Sequence, residues 1–330
     1  MRPRYSFVVP IYNEEGTLPE LERRLRGLLD RLDGDAEVIL VDDGSSDRSA
    51  ELLDDVNARD PRFKIVRLSR NFGHQIAITA GLDHAAGDAT IVMDGDLQDP
   101  PELVPELIDR WREGYEIVYA VRVDRGAEPA LRRLATNLAY RLLHRLASID
   151  LPPGAGDFRL VDRRALDQFR RLRESNRYVR GLFAWTGFRH VGVPHERGSR
   201  FAGETKYPFR KLVTLGVDGV IGFSRTPLRL AIVLGFLVSV GAFLLGLVAI
   251  GLRLAEIRVV PGWASVIVVV SFLSGVQLIV TGVLGVYVGR IYDEVKDRPL
   301  YVVRETRGFE VDPPSQPAED PAVAGPLGGS

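Results

Sequence analysis

The sequence contains no cysteine, which excludes disulfide bonds, thiolate zinc sites and cysteine nucleophiles. It also lacks an excess of either charge, because 43 lysines and arginines are balanced by 44 aspartates and glutamates. No overall basic field therefore indicates nucleic acid as a partner. Residues 1–5 carry no long apolar run and lead directly into a strand pattern, so we expect no signal peptide there.

Two long uncharged stretches lie late in the chain, at residues 230–252 and 259–289. A membrane core requires about 20 apolar residues of helix, and each stretch is long enough to cross it. Pro261 and Gly262 are expected to break the second stretch near its start. The sequence therefore predicts transmembrane helices at 230–252 and 263–288. Buried core helices are the alternative, but they rarely lack charge for so long.

Cations are denser on the two flanks of this predicted hairpin than in its connector. The connector carries Arg253 and Arg258, whereas the flanks carry Arg210, Lys211, Arg225, Arg229, Arg290, Lys296 and Arg298. The positive-inside bias predicts that both flanks and the N-terminal domain are cytoplasmic. We expect an integral protein of an inner or plasma membrane, with a cytoplasmic juxtamembrane segment at 289–311.

Residues 1–208 alternate short β-branched runs with amphipathic stretches, which predicts an α/β domain with a mostly parallel sheet. The predicted strands are 5–10, 36–41, 63–68, 89–93 and 116–121. Residues 209–229 predict an interfacial amphipathic linker, with an ordinary amphipathic helix on the domain as the alternative. Residues 312–330 are rich in proline and lack aromatic side chains, so we expect a disordered tail.

Two acidic pairs each follow an apolar strand, Asp42 with Asp43 and Asp94 with Asp96. In open α/β sheets the ligand crevice lies outside the carboxyl ends of the strands, so we expect both pairs to face one site. Aspartates separated by one small residue can both reach a hard cation such as Mg²⁺ or Mn²⁺, which prefers carboxylate and phosphate oxygens. An isolated Asp-x-Asp is more often a solvated turn, but its position after a buried strand favours a metal site.

Five stretches in order make the chain resemble the family 2 glycosyltransferases of GT-A fold. They are residues 9–15 (VPIYNEE), 41–47 (VDDGSSD), 70–75 (RNFGHQ), 93–100 (MDGDLQDP) and 203–208 (GETKYP). Within that family the chain is similar to the polyprenyl-phosphate glycosyltransferases, which include bactoprenol glucosyltransferase and dolichol-phosphate mannose synthase. Gly95 replaces the usual alanine and Thr205 the usual serine, and neither change removes a ligand. The resemblance implies a GT-A domain followed by a two-helix transmembrane hairpin.

The resemblance implies a nucleoside site bordered by Pro10, Tyr12 and Glu14, with Asp42 accepting a hydrogen bond from the base. The alternative for Tyr12 is a packed aromatic side chain. For Glu14 it is a carboxylate at a helix start, which the helix dipole favours.

The Asp-Gly-Asp motif would then form the centre of the site. The resemblance implies that Asp94 contacts the sugar and that Asp96, together with Asp94, holds Mg²⁺ or Mn²⁺ against the donor diphosphate. Gln98 would contact a donor or acceptor phosphate, with a helix-cap role as the alternative.

Four basic residues would bind phosphates. Arg122 and Lys206 are implied for the donor phosphates, and Arg200 and His74 for the acceptor phosphate.

Asp157 matches the position of the family's supposed general base. A lipid monophosphate has a second pKa of about 6 and is mostly ionised already, so a base would contribute little. We therefore expect Asp157 mainly to orient the acceptor site or the arginines around it, with general-base catalysis as the alternative.

The resemblance predicts an inverting, metal-dependent transfer from a nucleotide-diphosphate sugar, of UDP-glucose or GDP-mannose type, to polyprenyl phosphate in a lipid membrane. One alternative is a processive polysaccharide synthase, which is expected to have more spans and a Gln-x-x-Arg-Trp motif absent here. A second is a catalytically inactive GT-A scaffold. A dinucleotide oxidoreductase is disfavoured because no Gly-x-Gly-x-x-Gly follows the first strand. Whether the chain forms a homo-oligomer stays open.

Overall fold

The computed structural model describes residues 2–122, 155–195, 226–254 and 262–309. Its strands are Tyr5–Ile11 (β1), Ala36–Asp42 (β2), Phe63–Leu68 (β3), Ala89–Val92 (β4), Ile117–Arg122 (β5), Ala155–Asp162 (β6), His190–His195 (β7) and Val303–Arg307 (β8). Its helices are Leu18–Leu29 (α1), Ser49–Arg59 (α2), His74–His84 (α3), Val104–Arg112 (α4), Arg163–Phe169 (α5), Val179–Trp185 (α6), Thr226–Leu254 (α7) and Trp263–Val295 (α8), with a 3₁₀ turn at Pro101–Leu103.

These strands form one mixed sheet in the order β7-β5-β6-β4-β1-β2-β3-β8. The central strands β4, β1, β2 and β3 run parallel, as does the β5–β7 pair. Strand β6 runs antiparallel between β4 and β5, and β8 runs antiparallel at the edge beside β3. The predicted α/β domain with a mostly parallel sheet is confirmed, and the five predicted strands are β1 to β5.

Both faces of the sheet are covered by helices, which explains why the parallel strands read as continuous apolar runs. Successive side chains of a strand point to opposite faces, so Phe7 and Val9 pack on one side and Val8 on the other. Helices α1, α2 and α4 cover the first face, and α3, α5 and α6 cover the second. This packing fixes the carboxyl ends of β1, β2 and β4 at one edge.

Strand β8 follows the two long helices and returns the chain to the N-terminal sheet. Its register pairs Arg67 with Glu305 and Leu68 with Val303, so Arg304 is an extra residue without an opposite partner. Just before it, the Tyr301 hydroxyl donates to Asp83 at 2.8 Å. The segment predicted as juxtamembrane, 289–311, therefore contains a strand of the N-terminal domain's sheet.

Helices α7 and α8 pack against each other and expose apolar side chains along their length, including Phe236, Phe243, Phe272 and Leu278. Within the described residues, two segments are long and apolar enough to cross a membrane, Leu228–Val248 and Val268–Val295. Exposed apolar surface of this extent is unusual for a soluble monomer and suits lipid.

The boundaries of α7 and α8 differ from those of the predicted spans. Helix α7 begins at Thr226, inside the predicted linker 209–229, and α8 continues to Val295, past residue 288. Polar residues near α8's end contact the domain, since the Ser175 amide donates to Glu294 at 3.0 Å. The rest of the predicted linker and the predicted tail, 312–330, lie outside the described residues.

Candidate active site

The two acidic pairs lie at the same edge of the sheet. Ile11, the last residue of β1, pairs with Asp42 on β2, and Val8 pairs with Val92 on β4. Since neighbouring strands lie about 4.8 Å apart, the ends of β2 and β4 are about 10 Å from each other across β1. The carboxyl edge of these three strands therefore forms the floor of the candidate site.

The predicted nucleoside residues border this floor. Pro10 is buried in β1, whereas Tyr12 is 48% exposed just beyond the strand, so its ring is not a packed core aromatic. The Glu14 carboxylate accepts a hydrogen bond from the Thr17 hydroxyl at 2.7 Å, directly before α1. Glu14 thus has the local role at a helix start that the sequence left open, and its role toward a nucleoside stays a prediction.

Asp42 and Asp43 have different surroundings although they are adjacent. Asp42 accepts the Ser45 amide at 2.9 Å and the Arg67 guanidinium at 3.1 Å. Asp43 instead accepts the backbone amides of Phe72 and Gly73 at 2.7 and 2.9 Å. Only Asp42 of this pair therefore faces the candidate nucleotide side, while Asp43 holds the loop that leads into α3.

The loop held by Asp43 places two polar side chains over the site. Gly73 has φ of +99°, a conformation that residues with a Cβ rarely adopt, and it ends the loop at the start of α3. His74 and Gln75, the first two residues of α3, consequently project toward β4 and β6. Asp43, which directly follows β2, therefore helps to hold His74 and Gln75 near Asp94.

The Asp94–Asp96 loop is tightly built. Leu97 has φ of +58°, a strained left-handed conformation, and the Gln98 amide donates to the Asp96 carboxylate at 3.1 Å. The next residue, Asp99, is fully buried and lies 3.0 Å from the buried His195 imidazole at the end of β7. The Asp99–His195 contact anchors the loop that carries both candidate metal ligands.

Asp94 and Asp96 fit a divalent cation that is also bound by substrate oxygens. Among the described residues, no group of three His, Cys, Asp or Glu side chains is close enough to hold a metal alone. The Asp94 Oδ1 atom is buried and accepts no hydrogen bond within that part of the chain, and the His74 Nε2 atom lies 3.4 Å from it, so this oxygen keeps lone pairs for a cation. Burial raises the pKa of Asp94 to about 6, with Asp157, Asp99 and Asp96 adding to this rise and His74 opposing it.

Asp157 lies beside Asp94 because β6 runs antiparallel to β4, so the start of β6 meets the end of β4. The His74 Nε2 atom lies 3.4 Å from an oxygen of Asp94 and 3.4 Å from one of Asp157. The Arg180 guanidinium donates to both Asp157 oxygens, at 2.8 and 2.7 Å. We call His74, Asp94, Asp157 and Arg180 the acceptor-side cluster, after the acceptor role that the sequence predicts for His74 and Asp157.

The charges of the acceptor-side cluster are set by this pairing. Burial alone would raise the pKa of Asp157, but hydrogen bonds from Arg180 and His74 override burial and hold that pKa well below the ordinary value. Burial would also lower the pKa of His74, yet the hydrogen bond with Asp157 and the nearby charge of Asp94 raise it. The hydrogen bonds from Arg180 and His74 therefore favour the ionised form of Asp157.

A second arginine, Arg159, binds the backbone around Asp157. Arg159 is fully buried and donates to the Asp157 and Gly156 carbonyl oxygens at 3.2 and 2.9 Å. Its guanidinium carbon lies 5.2 and 5.4 Å from the Tyr119 and Phe183 ring centroids, which suits cation–π contact. Together these contacts fix the backbone that presents Asp157.

The remaining predicted residues have no contact with Asp94 among the described residues. Gln98 is buried, and its amide oxygen has no hydrogen-bond partner among the described residues. Arg122 ends β5 opposite His195 and is separated from β4 by β6. Lys206 and Arg200 lie outside the described residues. Sequence reasoning missed Arg180, which belongs to no recognised motif, and assigned no role to Arg159, although Arg159 lies two residues after Asp157.

Comparison with known proteins shows the family to which this chain belongs. A sequence model described as Glycosyl transferase family 2 matches residues 6–170. The chain belongs to glycosyl transferase family 2. An uncharacterized glycosyltransferase of Bacillus subtilis (strain 168), YkcC, is 48% identical over 307 residues, covering 93% of this chain and 95% of its own. The SfII prophage-derived bactoprenol glucosyl transferase of Shigella flexneri is 37% identical over 303 residues, covering 92% and 98%.

Among solved structures, glucosyl-3-phosphoglycerate synthase from Mycobacterium tuberculosis, in complex with Mn²⁺ and uridine diphosphate, gives a TM-score of 0.45 at 23% identity. That comparison covers 66% of this chain and 77% of the other. The family membership and the sheet order agree with the predicted GT-A fold. The acidic motif loops, the acceptor-side cluster and the ends of β1 and β2 thus lie at one edge of the sheet of this glycosyltransferase.

Proposed function

We propose that this glycosyltransferase moves a sugar from a nucleotide-diphosphate sugar to a polyprenyl phosphate at a membrane surface. Relatives that match nearly the whole chain are described as bactoprenol glucosyl transferases, which supports a lipid-linked acceptor. The helices α7 and α8 support it as well, since they would hold the site beside a lipid headgroup. A soluble acceptor would not require such an anchor.

The observation that carries the proposal is the pairing of Asp157 with Arg180 beside Asp94. A sugar hydroxyl acceptor must lose a proton during transfer, which calls for a base with a pKa near the working pH. Asp157 is held well below that range by Arg180 and His74. A phosphomonoester arrives already ionised, with a second pKa of about 6, and has no proton to lose. The acceptor-side cluster therefore suits a phosphate acceptor.

His74 and Arg180 would attract that phosphate. Arg180 is 28% exposed and His74 46% exposed, so both retain a surface toward solvent while they contact Asp157. Asp157 would orient the two side chains, and the raised pKa of His74 favours its cationic form. In this proposal Asp157 is a positioning residue, and the cations it holds contact the acceptor.

We assign donor binding to the part of the site formed by the ends of β1 and β2 and by the Asp94–Asp96 loop. Pro10, Tyr12 and Asp42 would surround the nucleoside at the ends of β1 and β2, and Asp94 would contact the sugar. Asp96, with Asp94, would hold Mg²⁺ or Mn²⁺ against the diphosphate, and the cation would neutralise charge that develops on the leaving group. Gln98, Arg122 and Lys206 stay candidates for further donor phosphate contacts.

The proposed step is a single displacement with inversion. An oxygen of the acceptor phosphate forms a bond to the anomeric carbon while the bond from that carbon to the donor diphosphate breaks. The nucleoside diphosphate leaves with the bonding electron pair. An α-linked donor then gives a β-linked lipid-phosphate sugar.

The proposed orientation places the catalytic domain on the cytoplasmic side of an inner or plasma membrane. Strand β8 belongs to the same sheet as β1 to β7, so a hairpin of α7 and α8 has both ends on the side of this domain. The flanking cations Arg229, Arg290 and Arg298 are consistent with the cytoplasmic side.

The experiment incubates the purified full-length chain with polyprenyl phosphate and a panel of radiolabelled nucleotide sugars, with Mg²⁺ or Mn²⁺ present. We expect label from one donor to enter the organic phase as a lipid-linked product. Label that appears only in a water-soluble polymer would contradict the lipid acceptor and favour a polysaccharide synthase. The absence of transfer from every donor would favour an inactive scaffold.

A further inference from the structure

A cavity of about 320 Å³ lies next to Asp42, at the edge of the sheet away from Asp94. Its walls come from three strands, β2, β3 and β8, together with helix α2 and the loops after β2 and β3. The lining residues are Asp42, Gly44, Ser45, Ala50, Arg67, Leu68, Ser69, Arg70, Arg304 and Glu305. One wall of this cavity therefore belongs to the strand that follows the two apolar helices.

Arg304 is the extra residue at the irregularity between β3 and β8. Arg67 pairs with Glu305 and Leu68 with Val303, which leaves Arg304 outside the ladder. Such bulges bend a strand and redirect a side chain, and they occur often beside active sites. Here the bulged residue lines the cavity. The bulge thus places Arg304 on the wall of the cavity.

The two arginines of β3 and β8 that line the cavity differ in their partners. Arg67 donates to Asp42 at 3.1 Å, to Asp54 at 3.1 Å and to Glu305, so its guanidinium is neutralised by protein carboxylates. Arg304 is exposed, and it has no ion pair or hydrogen bond within 2–122, 155–195, 226–254 and 262–309. Arg304 therefore presents five N–H donors to whatever enters the cavity.

Asp42 retains acceptor capacity on the same cavity wall. A carboxylate has about four lone-pair sites, and two of those on Asp42 are occupied by Ser45 and Arg67. A ligand that suits both Asp42 and Arg304 must offer an N–H donor and a neighbouring acceptor oxygen. The Watson–Crick edges of uracil and guanine present this combination, a ring N–H beside a keto oxygen.

We propose that Arg304 binds the keto oxygen of the donor's nucleobase while Asp42 accepts the adjacent ring N–H. The inference rests on the proposed nucleotide-sugar donor and on the expected contact of Asp42 with the base, and it adds Arg304 of β8 as the residue that reads the keto oxygen. Neighbouring strands lie about 4.8 Å apart, so β8 is about 19 Å from β4 across the sheet, which places Arg304 at the base and not at the diphosphate. The segment after the apolar helices thereby completes the donor site.

The test measures binding without catalysis, by calorimetry on the full-length chain in detergent with Mg²⁺. The ligands are UDP, GDP, ADP, CDP and inorganic pyrophosphate, and the variants are Arg304→Ala and Arg304→Lys. Arg298→Ala is the matched control, because Arg298 is exposed in the same segment and does not line the cavity. Thermal unfolding of each variant checks that it is folded.

We expect wild type to prefer UDP or GDP. Arg304→Ala should weaken that nucleotide about tenfold, the size expected for loss of a hydrogen bond from a charged group. In Arg304→Ala, the ratio between the affinity for UDP or GDP and the affinity for ADP or CDP should become smaller. The affinity for pyrophosphate should not change. Arg304→Lys should recover part of the loss, and Arg298→Ala should match wild type.

Two results would overturn the inference while leaving a nucleotide-sugar donor intact. One is an Arg304→Ala affinity equal to wild type for all nucleotides. The other is an equal loss for every nucleotide and for pyrophosphate, which would indicate a general charge effect. Failure of wild type to bind any nucleotide would instead contradict the proposed donor, and the inference with it.

Discussion

Arg180 donates hydrogen bonds to both carboxylate oxygens of Asp157, at 2.8 and 2.7 Å. Asp157 lies on β6 and Arg180, 23 positions later, on α6, and their pairing influences the charge beside Asp94. Burial would favour a protonated Asp157, and the hydrogen bonds from Arg180 and His74 reverse that preference. The pair therefore favours an orienting role for Asp157 over general-base catalysis, the two roles that the sequence left open.

The first prediction concerns the pH dependence of transfer. Because its pKa is lowered, Asp157 is ionised throughout the range from about pH 5 to about pH 8, and its titration contributes no acid limb there. Asp157→Asn should lower kcat/KM about 100-fold by misplacing Arg180 and His74. The acid limb of the pH–rate profile should persist in the variant, and the alkaline limb should move to lower pH, because Asp157 no longer raises the pKa of His74. Loss of an acid limb together with activity would instead identify Asp157 as a general base.

The second prediction concerns stability. Arg180→Ala leaves the Asp157 carboxylate buried without its main partner, a change that typically costs about 3–5 kcal/mol of unfolding free energy. The control is Arg173→Ala, which removes a more exposed pair with Asp83 and should cost about 1 kcal/mol or less. Chemical unfolding of the detergent-solubilised chain measures both. Equal, small losses would mean that Arg180 does not stabilise the Asp157 charge.

The third prediction concerns the chain after the hairpin. A protein that ends at residue 312 should transfer sugar like the full chain, because the sequence predicts a disordered tail from there. A protein that ends at residue 299 loses β8, exposes the edge of β3 and removes one wall of the cavity beside Asp42. Its affinity for UDP and GDP should fall about tenfold or more. Equal nucleotide affinity in the two truncations would contradict a role for β8 in the donor site.

The fourth prediction concerns the metal. Chelation with EDTA should reduce transfer to background, and Mg²⁺ or Mn²⁺ should restore it. Asp96→Asn should raise the metal concentration required for half-maximal rate by at least about tenfold, since even residues behind a ligand have effects of that size. Asp109→Asn, at an exposed carboxylate on α4, serves as the control. Full activity in EDTA would contradict the assignment of Asp94 and Asp96.

The central strands could be predicted from the sequence because each is an apolar run buried on both faces. Strand β8 gives no such signal, since its residues, VRETR, are mostly charged and its partner β3 lies more than two hundred positions earlier. Strand β6 is also atypical, because Asp157 and Arg159 interrupt its apolar pattern and are buried all the same. Their cost of burial is offset by contacts that form only in the folded domain.

The candidate site shows the same division. Asp42, Asp94 and Asp96 could be found because each follows a predicted strand in a recognisable motif. Arg180 could not, because its function depends on an antiparallel strand that brings Asp157 to the carboxyl edge of β4. The anchoring role of His195 depends likewise on β7 joining the sheet beside β5, where it meets Asp99.

The central claim is that the acceptor arrives as an anion and needs no base. The most direct measurement compares transfer by the purified chain to polyprenyl phosphate and to the matching polyprenol, which differs only in lacking the phosphate. We predict transfer to the phosphate and none above background to the alcohol, with Arg180→Ala reducing the former. Comparable transfer to both lipids would contradict the account, because an alcohol would require the base that Asp157, paired with Arg180, does not provide.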